Sequence, residues 1–248
     1  YAFNSGVAIS LIQGVNGKIT ADQVESALKP GHDWQPISRL VVIENTSNKG
    51  GGSYYTIEEV RPIAELCKRQ GLRLHLDGAR IFNALTETGE DPVSWGRMFD
   101  TVSVCMSKGL GAPVGSLLIG DRETIRMARR LRKVLGGGMR QAGYLAAACI
   151  YALDHHRDRL KEDHKHAKQI AEVLRIKPYV KYIKPVDTNV IIFGLQDDIR
   201  DQHFISTLKD NGILAIPFGG NTIRFVTHLD VSSDMISQVC DTLNRLTP

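Results

Sequence analysis

The sequence has no long apolar run: none of its stretches approaches the roughly 18 consecutive apolar residues of a helix that crosses a membrane. It also shows no secretion signal, because the chain opens on a mixed polar stretch without a basic start or a cleavage site. We therefore expect a cytoplasmic protein with no membrane partner.

Cysteine is scarce, and its spacing argues against the common metal sites. The four cysteines lie far apart in apolar surroundings and include no CxxC pair; they are Cys67, Cys105, Cys149 and Cys240. We expect reduced, buried thiols in a cytosolic setting and no bound metal. Four histidines of a predicted helix lack the i, i+4 ligand spacing and are predicted to be solvated, namely His155, His156, His164 and His166.

Net charge is also small, at +4, and it is concentrated in one segment. Residues 121–140 hold seven basic and two acidic side chains, which leaves the rest of the chain close to neutral. A patch confined to one helix fits a few phosphates or a partner subunit better than a nucleic-acid duplex. We therefore expect no nucleic-acid partner.

Strands and helices alternate in the first half of the sequence. Residues 39–44, 72–76 and 101–106 are typical of apolar strands, and helices are predicted between them at residues 56–70 and 81–87. This alternation predicts a mainly parallel α/β sheet. The run RLVVIE at residues 39–44 is continuously apolar, which predicts a strand covered on both faces.

Two helices carry start signals. Thr20 and Thr56 are each followed, three residues later, by the second member of a capping box, Gln23 and Glu59. Gly71 is predicted to end the second of these helices.

The second half of the chain changes in character. Helices are predicted at residues 121–135 and 139–174, and from residue 180 short strands alternate with two helices. We predict a large domain at residues 1–155, incomplete at its N-terminus, and a small α+β domain at residues 156–248.

Asp77 and Lys108 each follow a predicted strand of the parallel sheet. Ligands of such sheets bind at the carboxyl ends of the strands, so both side chains are expected at one edge. Lysine at the end of a buried strand is costly unless its charge is neutralised. Lys108 could form an imine, pair with a phosphate or a carboxylate, or simply reach solvent.

Four motifs in order carry a family resemblance. They are HLDGARIFNA at residues 75–84, SKGLGAPVGSLLIG at 107–120, RKVLGGGMRQAG at 132–143 and IRFVTHLDV at 223–231. Together they resemble the low-specificity L-threonine aldolases, which are pyridoxal phosphate enzymes of the aspartate aminotransferase fold. The resemblance implies fold type I, with a mainly parallel sheet domain and a small α+β C-terminal domain.

The resemblance assigns two residues to the cofactor. Lys108 matches the lysine that forms an imine with pyridoxal phosphate, and Asp77 matches the carboxylate that pairs with the pyridine nitrogen. A protonated nitrogen makes the ring an electron sink. Asp77 could instead serve as the N-cap of the helix that follows it.

Four basic residues complete the implied site. Arg80 matches an arginine beside the cofactor's phenolic oxygen and the substrate carboxylate, and Arg224 matches a second carboxylate-binding arginine; a structural ion pair is the alternative for each. Lys133 and Arg140 match a stretch that reaches the cofactor phosphate of a neighbouring subunit. This implies a homo-oligomer, a dimer or tetramer, with shared sites. A solvated basic face is the alternative for this pair.

The chain departs from the family pattern in two places. Ser47 follows Glu-Asn-Thr where many members have histidine, so the base that takes the β-hydroxyl proton is left open. The family's first segment, with a glycine-rich phosphate cup and a histidine stacked on the pyridine ring, is not found upstream of Gly6. We interpret the chain, which begins at Tyr1, as a fragment or a processed product, and we expect it to bind the cofactor weakly or not at all when alone.

The implied reaction is aldol cleavage of L-threonine or L-allo-threonine to glycine and acetaldehyde, by a pyridoxal phosphate-dependent carbon–carbon lyase. Two alternatives stay open. One is another amino-acid lyase that catalyses β-elimination, and the other is a non-catalytic fragment that needs a complementary N-terminal chain.

Overall fold

The computed structural model describes residues 1–246, and its first half is built on a four-stranded sheet. The strands are β1 (Leu40–Glu44), β2 (Arg73–Asp77), β3 (Thr101–Cys105) and β4 (Ser116–Gly120), in the order β1-β2-β3-β4. β1, β2 and β3 are parallel, and β4 runs antiparallel to β3. The helices of this half are α1 (Ala2–Ser5), α2 (Ala21–Ala27), α3 (Ile57–Gln70), α4 (Ile81–Thr88) and α5 (Pro92–Gly96).

Three helices connect this sheet to a second one: α6 (Arg122–Val134), α7 (Gly143–His155) and α8 (Leu160–Arg175). The second sheet contains β5 (Val180–Ile183), β6 (Val190–Leu195), β7 (Ile216–Pro217) and β8 (Thr222–Val226). Its order is β5-β6-β8-β7, with every neighbouring pair antiparallel. Helices α9 (Asp201–Asp210) and α10 (Ser233–Arg245) complete it. A mainly parallel α/β sheet followed by an α+β unit is the architecture predicted.

The predicted helix signals are confirmed. Thr20 and Thr56 are the N-caps of α2 and α3, and both capping boxes are formed in full. Gly71 ends α3 in a left-handed conformation with φ of 65°, which glycine adopts at little cost. These signals are local, so the sequence alone determines them.

The core consists of two apolar clusters. One face of the parallel sheet, including Leu76 and Val104, packs with α3 and α4, and its cluster extends to Leu160. The other cluster lies between the second sheet and α8, α9 and α10, and it begins at Ala167. The domain division at residues 155 and 156 stays a proposal, and residues 247 and 248 of its second domain lie outside the described residues.

Three predictions about secondary structure and burial are wrong. The helix predicted at residues 139–174 is two helices, because residues 156–159 interrupt it. β1 is not covered on both faces, since Val42 on its second face is 51% exposed. Residues 142–152 are rich in Ala, Leu and Ile, which predicts a buried segment, but Tyr144 within it is 86% exposed. An apolar composition shows that a surface can be buried, but it does not show what covers it.

None of the helices formed by residues 1–246 is both long enough and apolar enough to cross a membrane.

Candidate functional site

The carboxyl ends of three parallel strands bring the predicted residues to one edge of the first sheet. Glu44 at the end of β1 is aligned with Asp77 at the end of β2, and Asp77 is aligned with Ser103 of β3. Lys108 follows β3 by three residues and is exposed. Asp77 and Lys108 therefore lie at the same edge of the sheet, as predicted. Because Lys108 reaches solvent, it does not bear the desolvation cost expected for a buried lysine.

Asp77 is partly buried and keeps one carboxylate oxygen available. Its Oδ1 accepts a hydrogen bond of 3.1 Å from the backbone N–H of Ala79. The N-cap of α4 is Arg80, which makes no side-chain capping bond, so Asp77 is not the N-cap of that helix. Among residues 1–246 no hydrogen bond uses Oδ2 of Asp77, which leaves that atom for a ligand.

Two arginines lie near this edge: Arg80 at the start of α4 and Arg224 in β8 of the second sheet. Burial lowers the pKa of the Arg80 guanidinium, the Glu44 and Asp77 carboxylates raise it, and Arg224 lowers it. Arg80 follows Asp77 by three residues, and Arg224 contacts Asn48 in the loop that follows β1, so both guanidinium groups belong to this end of the sheet. Guanidinium groups at one end of a sheet favour an anionic ligand there.

Arg224 lies in β8 and is fixed on two sides. Its Nη1 donates a hydrogen bond of 2.9 Å to Oδ1 of Asn48, and its guanidinium carbon lies 4.7 Å from the centre of the Phe218 ring. Its Nε is buried without a hydrogen-bond partner among the described residues. A buried donor without a partner is costly, so this N–H is a strong candidate for binding a ligand oxygen.

Glu44 was not singled out by the sequence. Burial raises the pKa of its carboxyl, as does the Asp77 carboxylate, while hydrogen bonds from the Asn48 backbone and the Ser47 hydroxyl lower it. The signal that could have found Glu44 is its position, since it ends β1 in the same way that Asp77 ends β2.

Ser47, at the position where many family members have histidine, is buried beneath a tight turn. Its Oγ accepts a hydrogen bond of 3.2 Å from the Gly50 backbone. A Cβ at Gly17, whose φ is 79°, would clash with that hydroxyl oxygen. The packing around this hydroxyl is close, and Ser47 is only 3% exposed. Its hydroxyl also donates to the Glu44 carboxylate, so Ser47 contacts the end of β1.

Asn45 holds the start of this loop to its end. Its Nδ2 donates to the Tyr55 carbonyl at 3.3 Å, and its Oδ1 accepts from the Tyr55 N–H at 3.2 Å. Asn45→Ala removes both partners from buried backbone groups, so we expect it to lower the free energy of unfolding by about 1–3 kcal/mol. Chemical denaturation measures this loss. Asn211→Ala, at an exposed asparagine, is the control, and equal losses in both variants would contradict the prediction.

Lys133 and Arg140 do not join this group of residues. Lys133 is exposed, and its Nζ lies 3.4 Å from the Gly138 carbonyl. Arg140 is also exposed. No hydrogen bond or ion pair within residues 1–246 links either residue to Asp77, Arg80 or Arg224. Their predicted role at a neighbouring subunit's cofactor stays a proposal.

Three of the four histidines were wrongly predicted to be solvated: His156 is half-buried and hydrogen-bonded, and His164 and His166 are fully buried. His164 is 1% exposed and contacts Glu87 at 2.5 Å and Asn83 at 2.9 Å. His166 is equally buried and contacts Ser233 at 3.0 Å. The partners of His164 and His166 are 67 or more residues away in sequence, so no local pattern shows these contacts.

The histidine on β2 is half-buried and contacts a neighbouring strand. His75 shares the half-buried sheet face with Asp77, and its Nδ1 lies 2.7 Å from the Thr101 hydroxyl. Within residues 1–246, no cluster of three or more histidine, cysteine or acidic residues could hold a metal ion.

Comparison with known proteins places this geometry in a family. The β-eliminating lyase family model matches residues 1–198. Low-specificity L-threonine aldolase 1 of Arabidopsis thaliana is 38% identical over 223 residues, which is 88% of this chain and 62% of that protein. The chain thus spans about three-fifths of the length of this curated relative.

Solved structures show the same fold. A threonine aldolase of Leishmania major superposes with a TM-score of 0.76 at 24% identity, covering 93% of this chain and 68% of that one. N-acetylornithine aminotransferase of Stenotrophomonas maltophilia superposes with a TM-score of 0.63 at 18% identity, covering 93% and 59%. The predicted fold type I of pyridoxal phosphate enzymes is thereby confirmed.

The family model covers most of the chain, and the fold agrees with it. The chain belongs to the β-eliminating lyase family.

Proposed function

We propose that the protein is a pyridoxal phosphate-dependent lyase that cleaves L-threonine or L-allo-threonine to glycine and acetaldehyde. One observation carries this proposal: Asp77 and Lys108 follow neighbouring parallel strands at one edge of the sheet, where Arg80 begins α4 and Arg224 contacts the loop after β1. The Arabidopsis relative, at 38% identity, is named a low-specificity L-threonine aldolase, which supports the choice of substrate.

The residues at this edge fit the cofactor. The free oxygen of Asp77 suits a protonated pyridine nitrogen, and the exposed amine of Lys108 suits an aldehyde. When bound, pyridoxal phosphate supplies an electron sink for the pair released at Cα. Asp77 would hold the ring nitrogen in its protonated form, and Lys108 would hold the cofactor and exchange it for the substrate amine.

The two arginines would bind and orient the substrate. A carboxylate accepts two parallel hydrogen bonds from a guanidinium group, and the buried Nε of Arg224 has a donor available for this. Asn48 and Phe218 keep the guanidinium group of Arg224 in place, so little rotamer entropy is lost on binding. Arg80, beside Asp77 and Glu44, would hold the other side of the carboxylate.

We also propose a homo-oligomer, a dimer or tetramer, in a cytoplasmic setting. Apolar side chains of α7 and β4 are exposed in the single chain, including Tyr144 and Leu117. Lys133 and Arg140 lie outside the edge built by their own chain, so they would act at a neighbouring copy. All four cysteines are free, which supports a reducing compartment.

Assays of threonine, phenylserine and cysteine, run side by side with added pyridoxal phosphate, test this function. We expect glycine with acetaldehyde from threonine. Pyruvate with sulfide from cysteine, without acetaldehyde from threonine, would favour β-elimination instead. Cofactor content and intact mass of the same sample separate both outcomes from a non-catalytic chain, which would bind no cofactor.

A further inference from the structure

The backbone turn that presents Lys108 is closed by its own hydrogen bonds. The Gly111 N–H donates to the Lys108 carbonyl at 2.8 Å, and the Ala112 N–H donates to the Met106 carbonyl at 3.0 Å. These bonds set the path of the chain on both sides of the lysine. The carbonyl of Leu110, between them, makes no backbone hydrogen bond within residues 1–246.

A histidine supplies the partner for that carbonyl. Nδ1 of His156 lies 2.6 Å from the Leu110 oxygen, and because a carbonyl can only accept, the imidazole N–H donates. His156 is the C-cap of α7, where the helix ends before α8. Its ring meets the Tyr151 ring edge-on, at a centroid distance of 5.5 Å and an angle of 83°, and this contact orients the imidazole.

Side chains from other parts of the chain pack closely against two glycines of the same turn. A Cβ at Gly109 would lie 3.0 Å from Leu160 and 3.4 Å from Asn83. A Cβ at Gly111, whose φ is 70°, would lie 2.6 Å from Leu229. Leu160 and Leu229 thus limit the space into which the turn can shift, and the hydrogen bond from His156 ties the turn to the end of α7.

We propose that His156 is a positioning residue, which holds the turn at residues 107–112 and thereby aims Lys108 at the edge of the sheet. This inference rests on the proposed function for the role of Lys108. Its structural part does not, because it concerns the turn itself.

Hydrogen–deuterium exchange of the full chain tests the structural part. In His156→Ala we expect the Gly111 and Ala112 amides to exchange roughly 3- to 10-fold faster, since one hydrogen bond that holds the turn is lost. Amides of α10 should exchange at the unaltered rate. His155→Ala is the matched control, because His155 is the exposed neighbour of His156 at the end of α7. Unchanged exchange at Gly111 and Ala112, or an equal increase in α10, would overturn the proposal.

A second measurement links the turn to the lysine. Pyridoxal phosphate is added at one limiting concentration, and the fraction fixed to Lys108 by borohydride is read by peptide mass. We expect His156→Ala to lower this fraction several-fold and His156→Asn, whose side-chain amide can replace Nδ1–H, to restore most of it. Equal capture in all variants would overturn the positioning role even if the turn exchanges faster. No capture by the unaltered chain would count against the proposed function alone, and the exchange result would still decide whether His156 holds the turn.

Discussion

Lys108→Ala is expected to abolish covalent capture of pyridoxal phosphate and to reduce threonine cleavage by more than about 10²-fold. The physical reason is that alanine has no amine to bond the cofactor aldehyde or to exchange it for the substrate amine. Borohydride reduction followed by peptide mass spectrometry measures the capture, and acetaldehyde release measures the cleavage. The fold should tolerate the change, because Lys108 is exposed and its contribution to packing is small.

Lys68→Ala is the matched control, since Lys68 is an exposed lysine of α3 away from the strand ends. It should leave both capture and cleavage unchanged. Full cofactor capture by Lys108→Ala, at a different lysine and with undiminished cleavage, would refute the assignment of Lys108.

The position of this lysine could be predicted because it depends on short-range signals. Thr56, Glu59 and Gly71 fix α3 through local capping, and alternation of strand and helix then makes the sheet parallel. Once the sheet is parallel, Asp77 and Lys108 must leave it at the same edge. None of these steps requires knowledge of contacts between distant residues.

The place of Arg224 in the site could not be predicted from any local pattern in the sequence. Arg224 reaches Asn48 across 176 residues of sequence, and it was identified only through a family motif. The same loop is tied twice more to the connection between β5 and β6. The Thr188 hydroxyl donates to the Gly52 carbonyl at 2.8 Å, and Lys184 donates to the Lys49 carbonyl at 2.9 Å. Only the tertiary fold shows these contacts.

These three contacts have a consequence for the site. The loop at residues 45–53 follows Glu44, which lies beside Asp77. Its residues Asn48 and Gly52 contact Arg224 and Thr188 of the second half of the chain. The carboxylate edge and the arginine are thus joined through one loop, fixed at its base by Asn45. The distance between the proposed cofactor-binding and carboxylate-binding groups therefore depends on this loop.

Asp77→Asn is expected to reduce threonine cleavage by roughly 10²- to 10⁴-fold while leaving the fold intact. Asparagine has the same shape, and its Oδ1 can still accept the hydrogen bond from the Ala79 N–H. Its amide carries no negative charge, however, so it cannot hold a proton on the pyridine nitrogen. The electron sink would weaken even though the cofactor stays attached to Lys108.

The measurement must therefore separate cofactor attachment from turnover. We expect Asp77→Asn to keep borohydride-fixed pyridoxal phosphate on Lys108 and an unchanged denaturation midpoint, while acetaldehyde release falls. Asp91→Asn is the matched control, because Asp91 also accepts a backbone N–H, from Ser94 at 2.8 Å, at the exposed start of α5. Asparagine is as good an N-cap as aspartate, so this variant should behave like the unaltered chain. Equal turnover in both variants would show that the Asp77 charge does not act on the cofactor ring, and the pairing of Asp77 with the ring nitrogen would have to be abandoned.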